Sequence, residues 1–143
     1  MDIFSALKIS SSALTAQRRR IDVVSSNLAN IETTRTPEGG PYQKRDVVFR
    51  AAPQSGASPF DLALDTAAEG VEVAAIRTNP APPRMVYDPS HPDADAQGFV
   101  AMPNINLMEE MVDLMSASRS YEANVTAIQS AKRMALKALE IGR

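Results

Sequence analysis

The chain has 143 residues, 44% of them hydrophobic, which suits one modest domain and leaves too little for two independent cores. With 15 basic residues against 17 acidic ones, no surplus charge exists to hold nucleic acid or an anionic membrane, so partners must be recognised by shape and local chemistry. Cysteine is absent, which excludes structural disulfides, thiol catalysis and thiolate metal centres.

In the first segment Ile3, Leu7, Leu14, Ile21, Val24, Leu28 and Ile31 recur at alternating spacings of three and four, with Ser10 and Gln17 filling two expected positions. This pattern predicts a long helix with a narrow apolar seam ending near Glu32, of the kind that packs against another helix. The run Ser10-Ser11-Ser12 and the charges of Arg18, Arg19 and Arg20 weaken the neighbouring faces, so the helix depends on partners. The first residues lack the basic and continuously apolar stretches of a secretory signal, so a soluble, uncleaved chain is expected.

Gly39-Gly40-Pro41 cannot continue a helix. Beyond it, Asp46 to Phe49, Val71 to Ile76, Met85 to Tyr87 and Gly98 to Ala101 read as short strands between loops rich in Pro, Gly and Asp. The ten prolines, nearly all in this middle part, argue against one continuous sheet and for a small hairpin module. Residues 51–70 read as a flexible insertion with a weak helical patch around Phe60 to Ala68.

Helical periodicity returns at Leu107, Met111, Leu114, Ser118, Tyr121, Val125, Ile128, Ala135 and Leu139, with Met108, Val112 and Met115 widening the stripe at its start. Asn104 or Asn106 can cap this helix; Glu109 and Glu110 in its first turn and Lys132, Arg133 and Lys137 near its end suit the helix dipole. The expected fold is α+β: a helix over 1–32, a turn plus β-rich module over 33–103, and a helix over 104–143. The two helices form an antiparallel coiled-coil-like pair.

Two stretches carry a resemblance. Ser25-Ser26-Asn27-Leu28-Ala29-Asn30, continued by Thr36-Pro37-Glu38-Gly39-Gly40-Pro41-Tyr42, and the final helix with Ser120-Tyr121-Glu122-Ala123-Asn124 resemble the bacterial flagellar axial proteins. The segments Tyr87 to Pro92, Gly98 to Val100 and Pro103 to Asn106 narrow the similarity to the proximal rod members of that family. Ile31-Glu32 departs from the small residue and Asn that broader family members often carry. The resemblance implies a structural subunit that leaves the cell unfolded through the flagellar type III export apparatus. It would then assemble in the periplasm with other rod proteins and copies of itself into a tube that carries torque and forms part of the export channel.

Other readings attach to single features. Asn27 and Asn30 can bond a neighbour's backbone, fix the turn, or simply be solvated amides. Gly39 and Gly40 suit a turn better than a phosphate, because no lysine–hydroxyl pair follows. His91 among Asp88, Asp93 and Asp95 is a poor metal set, and proline-flanked aspartates are ordinary turn residues. Arg18 to Arg20 can meet Glu109 or Glu110 of an adjacent subunit or lie in solvent; Met108, Met111 and Met115 suit either a neighbour or the core. A secreted binding or export-chaperone-like helical module is the alternative reading. No catalytic constellation, cofactor site, small-molecule pocket or membrane-inserted segment is expected.

Overall fold

A computed structural model describes residues 3–52 and 70–141, with side chains over 4–52 and 70–140. The helical patch expected around Phe60 to Ala68 and residues 53–69 of the expected flexible insertion lie outside the described residues. Ala51, Ala52 and Gly70, assigned to that insertion, are strand residues.

Helix α1 runs Ile3–Ala29 and is followed by β1 (Arg45–Ala52), β2 (Gly70–Thr78), β3 (Arg84–Tyr87), β4 (Phe99–Met102) and α2 (Leu107–Ile141). The fold is α+β, two long helices packed together with small antiparallel hairpins between them, and all four strands fall on the expected runs. The strands form two separate two-stranded sheets, β1–β2 and β3–β4.

Helix α1 stops at Ala29, slightly before the expected Glu32, because Asn30 closes its end. The Asn30 amide donates to the Ser26 carbonyl at 2.9 Å, and Asn30 Oδ1 accepts from the Thr33 hydroxyl at 3.1 Å. Such local side-chain bonds compete with the continuing helix. At the other helix Asn106, rather than Asn104, is the cap: its Oδ1 accepts the Met108 N–H at 3.1 Å. Asn104 instead donates to the Pro82 carbonyl.

The β1–β2 ribbon lies along α1. Its open end is tied where Asn27 meets Arg45, and its far end where the Ser12 hydroxyl accepts the Val71 N–H at 3.0 Å. From Ser12 to Asn27 the helix rises roughly 22 Å, and seven strand steps from Arg45 to Ala52 cover about 23 Å, so the two match in length. A bulge between Val48 and Phe49 re-phases the ribbon, which Arg50 and Glu72 clasp as a directly opposed pair.

In the second hairpin Val100 is buried while Tyr87 and Phe99 pack edge to face on the outer side, ring centroids 5.3 Å apart. Its loop is built from aspartates: Asp95 accepts the Gln97 and Phe99 N–H groups, and Asp88 accepts the Ser90 N–H and hydroxyl. The Ser90 hydroxyl bond holds the Asp88 carboxyl below its usual range. His91 Nδ1 accepts the Asp93 N–H, and Asp93 in turn receives the Thr34 hydroxyl at 2.8 Å, which docks this loop on the segment after α1.

The core is thin and made largely of small side chains, Ala16, Val23, Val24, Ala117 and Ala131, joined by Tyr42, Val100 and Ile105. Alanine on facing helices lets the backbones approach closely but buries little apolar area.

Glycine is required at position 98, where φ is +84° and a Cβ would sit 2.9 Å from the Tyr87 ring. Gly98→Ala should lower stability by about 1–2 kcal/mol from the backbone alone, plus the cost of moving Tyr87. Gly39→Ala, with open space around a similar φ, should cost the backbone part only. Urea unfolding midpoints of the two variants check the order.

Candidate assembly interface

The two stretches that carry the family resemblance meet at one buried side chain. Asn27 is 1% exposed and makes four hydrogen bonds. Its Nδ2 donates to the Arg45 carbonyl at 2.9 Å and to Glu110 Oε2 at 3.0 Å; its Oδ1 accepts the Arg45 N–H at 3.0 Å and the Tyr42 hydroxyl at 3.1 Å. Both donors and both acceptor positions of the amide are therefore used. The amide joins α1, the segment after it, the start of β1 and the first turn of α2.

The loop between the motifs returns Tyr42 to this point. The Thr36 N–H donates to the Gly40 carbonyl and the Gly39 N–H to the Thr36 carbonyl, closing residues 36–40 with Gly39 and Gly40 at φ of 92° and 76°. The Tyr42 N–H then donates to Thr33, and its hydroxyl lies 3.4 Å from Ser26 Oγ. The Arg45 guanidinium sits 5.7 Å from the Tyr42 ring centroid.

Glu110, also 1% exposed, completes the junction: Oε2 faces Asn27 and Oε1 lies 2.7 Å from Lys44 Nζ. The Lys44 contact is an ion pair; Oε1 has no well-angled hydrogen bond besides it. Glu110, strengthened by nearby Asp46 and Glu109, raises the Lys44 pKa above its ordinary 10.5 against the opposing pull of burial. Farther along, Arg20 pairs with Asp113 at 3.0 Å. Of the two readings of Arg18 to Arg20, the chain alone shows this much: Glu110 is committed to its own chain, Arg20 pairs with Asp113, and Arg18 and Arg19 lie in solvent.

Asn27 opposite Glu110 and Arg20 near Asp113 make the helices antiparallel. On α1, Val24 is buried and Leu7, Leu14, Ile21 and Leu28 are half-buried, as is Ile31 in the turn that follows; the Ile3 side chain lies outside the described residues. On α2, Leu114, Tyr121, Val125 and Ile128 are half-buried, whereas Leu107, Met108, Met111, Met115 and Leu139 are exposed. Met108, Met111 and Met115 are thus no part of the core. Within the motifs Ser26, Asn30, Thr36 and Pro41 are half-buried, while Ser25, Ala29, Pro37, Glu38, Gly39 and Gly40 face solvent.

The residues with the deepest burial on α2, Glu110, Ala117 and Ala131, are in heptad phase with Leu114, Tyr121 and Ile128, one residue away from Met111, Ser118 and Val125. Lys44 and Glu110 escape a reading that weights apolar residues. The available signal was an acidic residue four positions before Leu114, in phase with the seam. Among the described residues no cluster of three His, Asp or Glu side chains is placed to hold a metal ion.

Comparison with known proteins matches this architecture at both ends. Residues 7–35 match the family model described as flagella basal body rod protein, and residues 96–141 that described as flagellar basal body rod FlgEFG protein C-terminal. The two matched parts contain most of α1 with its turn, and β4 with α2. The chain belongs to the flagellar basal-body rod proteins, a structural and non-enzymatic family. Within it, the chain belongs with the FlgC proteins. It is 47% identical to flagellar basal-body rod protein FlgC of Borreliella burgdorferi over 99% of this chain and 98% of that one. It is 47% identical to the Bacillus subtilis FlgC and 42% to that of Salmonella typhimurium, each over the full length of both chains.

Asn27→Ala would leave the Arg45 N–H and carbonyl, the Tyr42 hydroxyl and a buried carboxylate short of partners. Each such group costs about 1–3 kcal/mol, so stability should fall by about 3 kcal/mol or more in denaturant unfolding. Lys44→Met, by removing one partner of a buried pair, should cost about 3–5 kcal/mol. The part of the wild-type advantage that comes from the raised Lys44 pKa should be complete below pH 10.5, the unfolded value, and be lost as pH rises through the higher folded value. Unfolding free energies of both chains across alkaline pH check the sign.

Proposed function

We propose that this chain is a subunit of the proximal rod and builds a helical tube through the outward faces of its two terminal helices. The observation that carries the reading is the split use of those helices. Their small-residue faces close on each other, while large apolar residues such as Met108, Met111 and Leu139 remain exposed. A monomer with so thin a core and so much exposed apolar helix gains by packing against neighbours. Each large apolar side chain buried on assembly contributes about 1.5–3 kcal/mol, so a few per helix supply much of the association energy.

In this reading the seam residues Leu7, Leu14, Ile21, Leu28 and Ile31 together with Leu107, Met111, Met115 and Leu139 form contacts with other rod proteins and with copies of the chain. The helices line the tube and the hairpins project outward to meet neighbours. The chain passes the type III export apparatus unfolded and without a cleaved signal, assembles across the periplasm, carries torque, and leaves a central path for later subunits. No helix among the described residues is long and apolar enough to cross a membrane.

In a bacterium lacking its own copy, the wild-type chain should restore swimming and intact basal bodies. Leu28→Asp should accumulate to a comparable level and keep its helical circular dichroism, yet yield no basal bodies. Normal basal bodies in that variant would remove Leu28 from the assembly surface, and failure of the wild-type chain to restore them would overturn the rod reading.

A further inference from the structure

Methionine supplies all the sulfur in this chain, because cysteine is absent. Met108, Met111 and Met115, spaced by three and four residues at the start of α2, share one side of the helix and are 67%, 45% and 55% exposed. That side turns away from Glu110 and Ala117, so the buried face of α2 contains none of these thioethers. Beside Met108 lies an open hollow of about 440 Å³, lined also by Lys44, Glu109, Val112 and Asp113, through which a small molecule reaches the sulfur. Met85 and Met134 are exposed singly, and Met102 in β4 is half-buried.

Exposed thioethers that the fold does not use can change chemically without unfolding the chain. Oxidation to the sulfoxide turns a soft apolar side chain into a polar one, and a reductase reverses it. With no thiol in the chain, nothing more nucleophilic competes for the oxidant. The carboxylates of Glu109 and Asp113 border the patch, so a neutral peroxide approaches it without the repulsion an anionic oxidant meets.

We propose that Met108, Met111 and Met115 form a reversible oxidation site of the unassembled subunit, taking oxygen from a peroxide and losing it to a methionine sulfoxide reductase. In the forward step the sulfur lone pair attacks one peroxide oxygen; the S–O bond forms as the O–O bond breaks, and water leaves. Sulfur loses the two electrons that the peroxide gains. In the reverse step a dithiol supplies two electrons, becomes a disulfide, and the oxygen departs as water. The consequence rests on the rod reading. In water a sulfoxide is solvated, but in an apolar contact its oxygen would need a hydrogen-bond donor, so the oxidised subunit stays folded and is refused by the rod. Once assembled, the same thioethers are covered and protected.

The purified full-length chain is treated with dilute hydrogen peroxide and its peptides are followed by mass spectrometry. Met108, Met111 and Met115 should each gain one oxygen several-fold faster than Met102, with helical circular dichroism unchanged. Methionine sulfoxide reductases with dithiothreitol should then remove it. Rates no faster than that of Met102, loss of the helical signal, or oxygen that the reductases leave in place overturns the site. The consequence is read in the bacterium lacking its own copy, with glutamine standing for the polar sulfoxide because it suits a helix about as well as methionine. The Met108→Gln, Met111→Gln, Met115→Gln triple variant should accumulate normally yet yield several-fold fewer basal bodies, whereas the corresponding Met→Leu triple variant restores them. Full restoration by the glutamine variant, or equal loss in the leucine variant, overturns the refusal by the rod. The peptide measurement is scored on the purified chain alone, so failure of the rod reading and failure of the oxidation site are told apart.

Discussion

A carboxamide buried with all four of its hydrogen-bonding positions occupied permits little movement of the groups around it. Asn27 imposes that constraint where α1, the segment leading into β1 and the first turn of α2 converge, and Glu110 with Lys44 extends it. An apolar seam of alanines and valines would tolerate sliding of one helix along the other by a turn. Such a slip would strand a buried carboxylate and several backbone groups, each costly to desolvate without a partner. The polar junction sets the register, and the apolar contacts act within it.

That division explains what could be read from the chain itself. Both helices, all four strands and the paired arrangement followed from periodicity, turn residues and caps, because those signals are local. The phase of the inner face did not. Leucine and methionine draw attention to 107, 111 and 114, yet the structure buries Glu110 and Ala117 and leaves Met111 outside. Close helix approach favours alanine, so the largest apolar residues are displaced outward. Asn27 was legible as a residue of interest, and its partners were not: Arg45 and Glu110 lie 18 and 83 residues away, and only the folded chain brings them together. The loop of Gly39 and Gly40 was readable as a turn, whereas its service in returning Tyr42 to Asn27 is evident only in the folded chain.

The helices are consequently two-sided. One side satisfies the chain, and the other retains large, soft side chains; methionine, unbranched and polarizable, packs acceptably against more than one shape of neighbour. A subunit that assembles with other rod components is well served by a surface of this kind. The small internal core limits how much stability the isolated chain holds, so folding and association draw on overlapping sources of free energy.

The 83-residue separation between Asn27 and Glu110 also bears on time. A chain that emerges amino end first, from a ribosome or from any narrow conduit, presents α1 long before the helix that covers it exists. Until Glu110 is out, Asn27 lacks the partner on its far side, and α1 has only the β1–β2 ribbon to lie against. The junction thus acts as a completion check, withholding the compact state until nearly the whole polypeptide has been delivered.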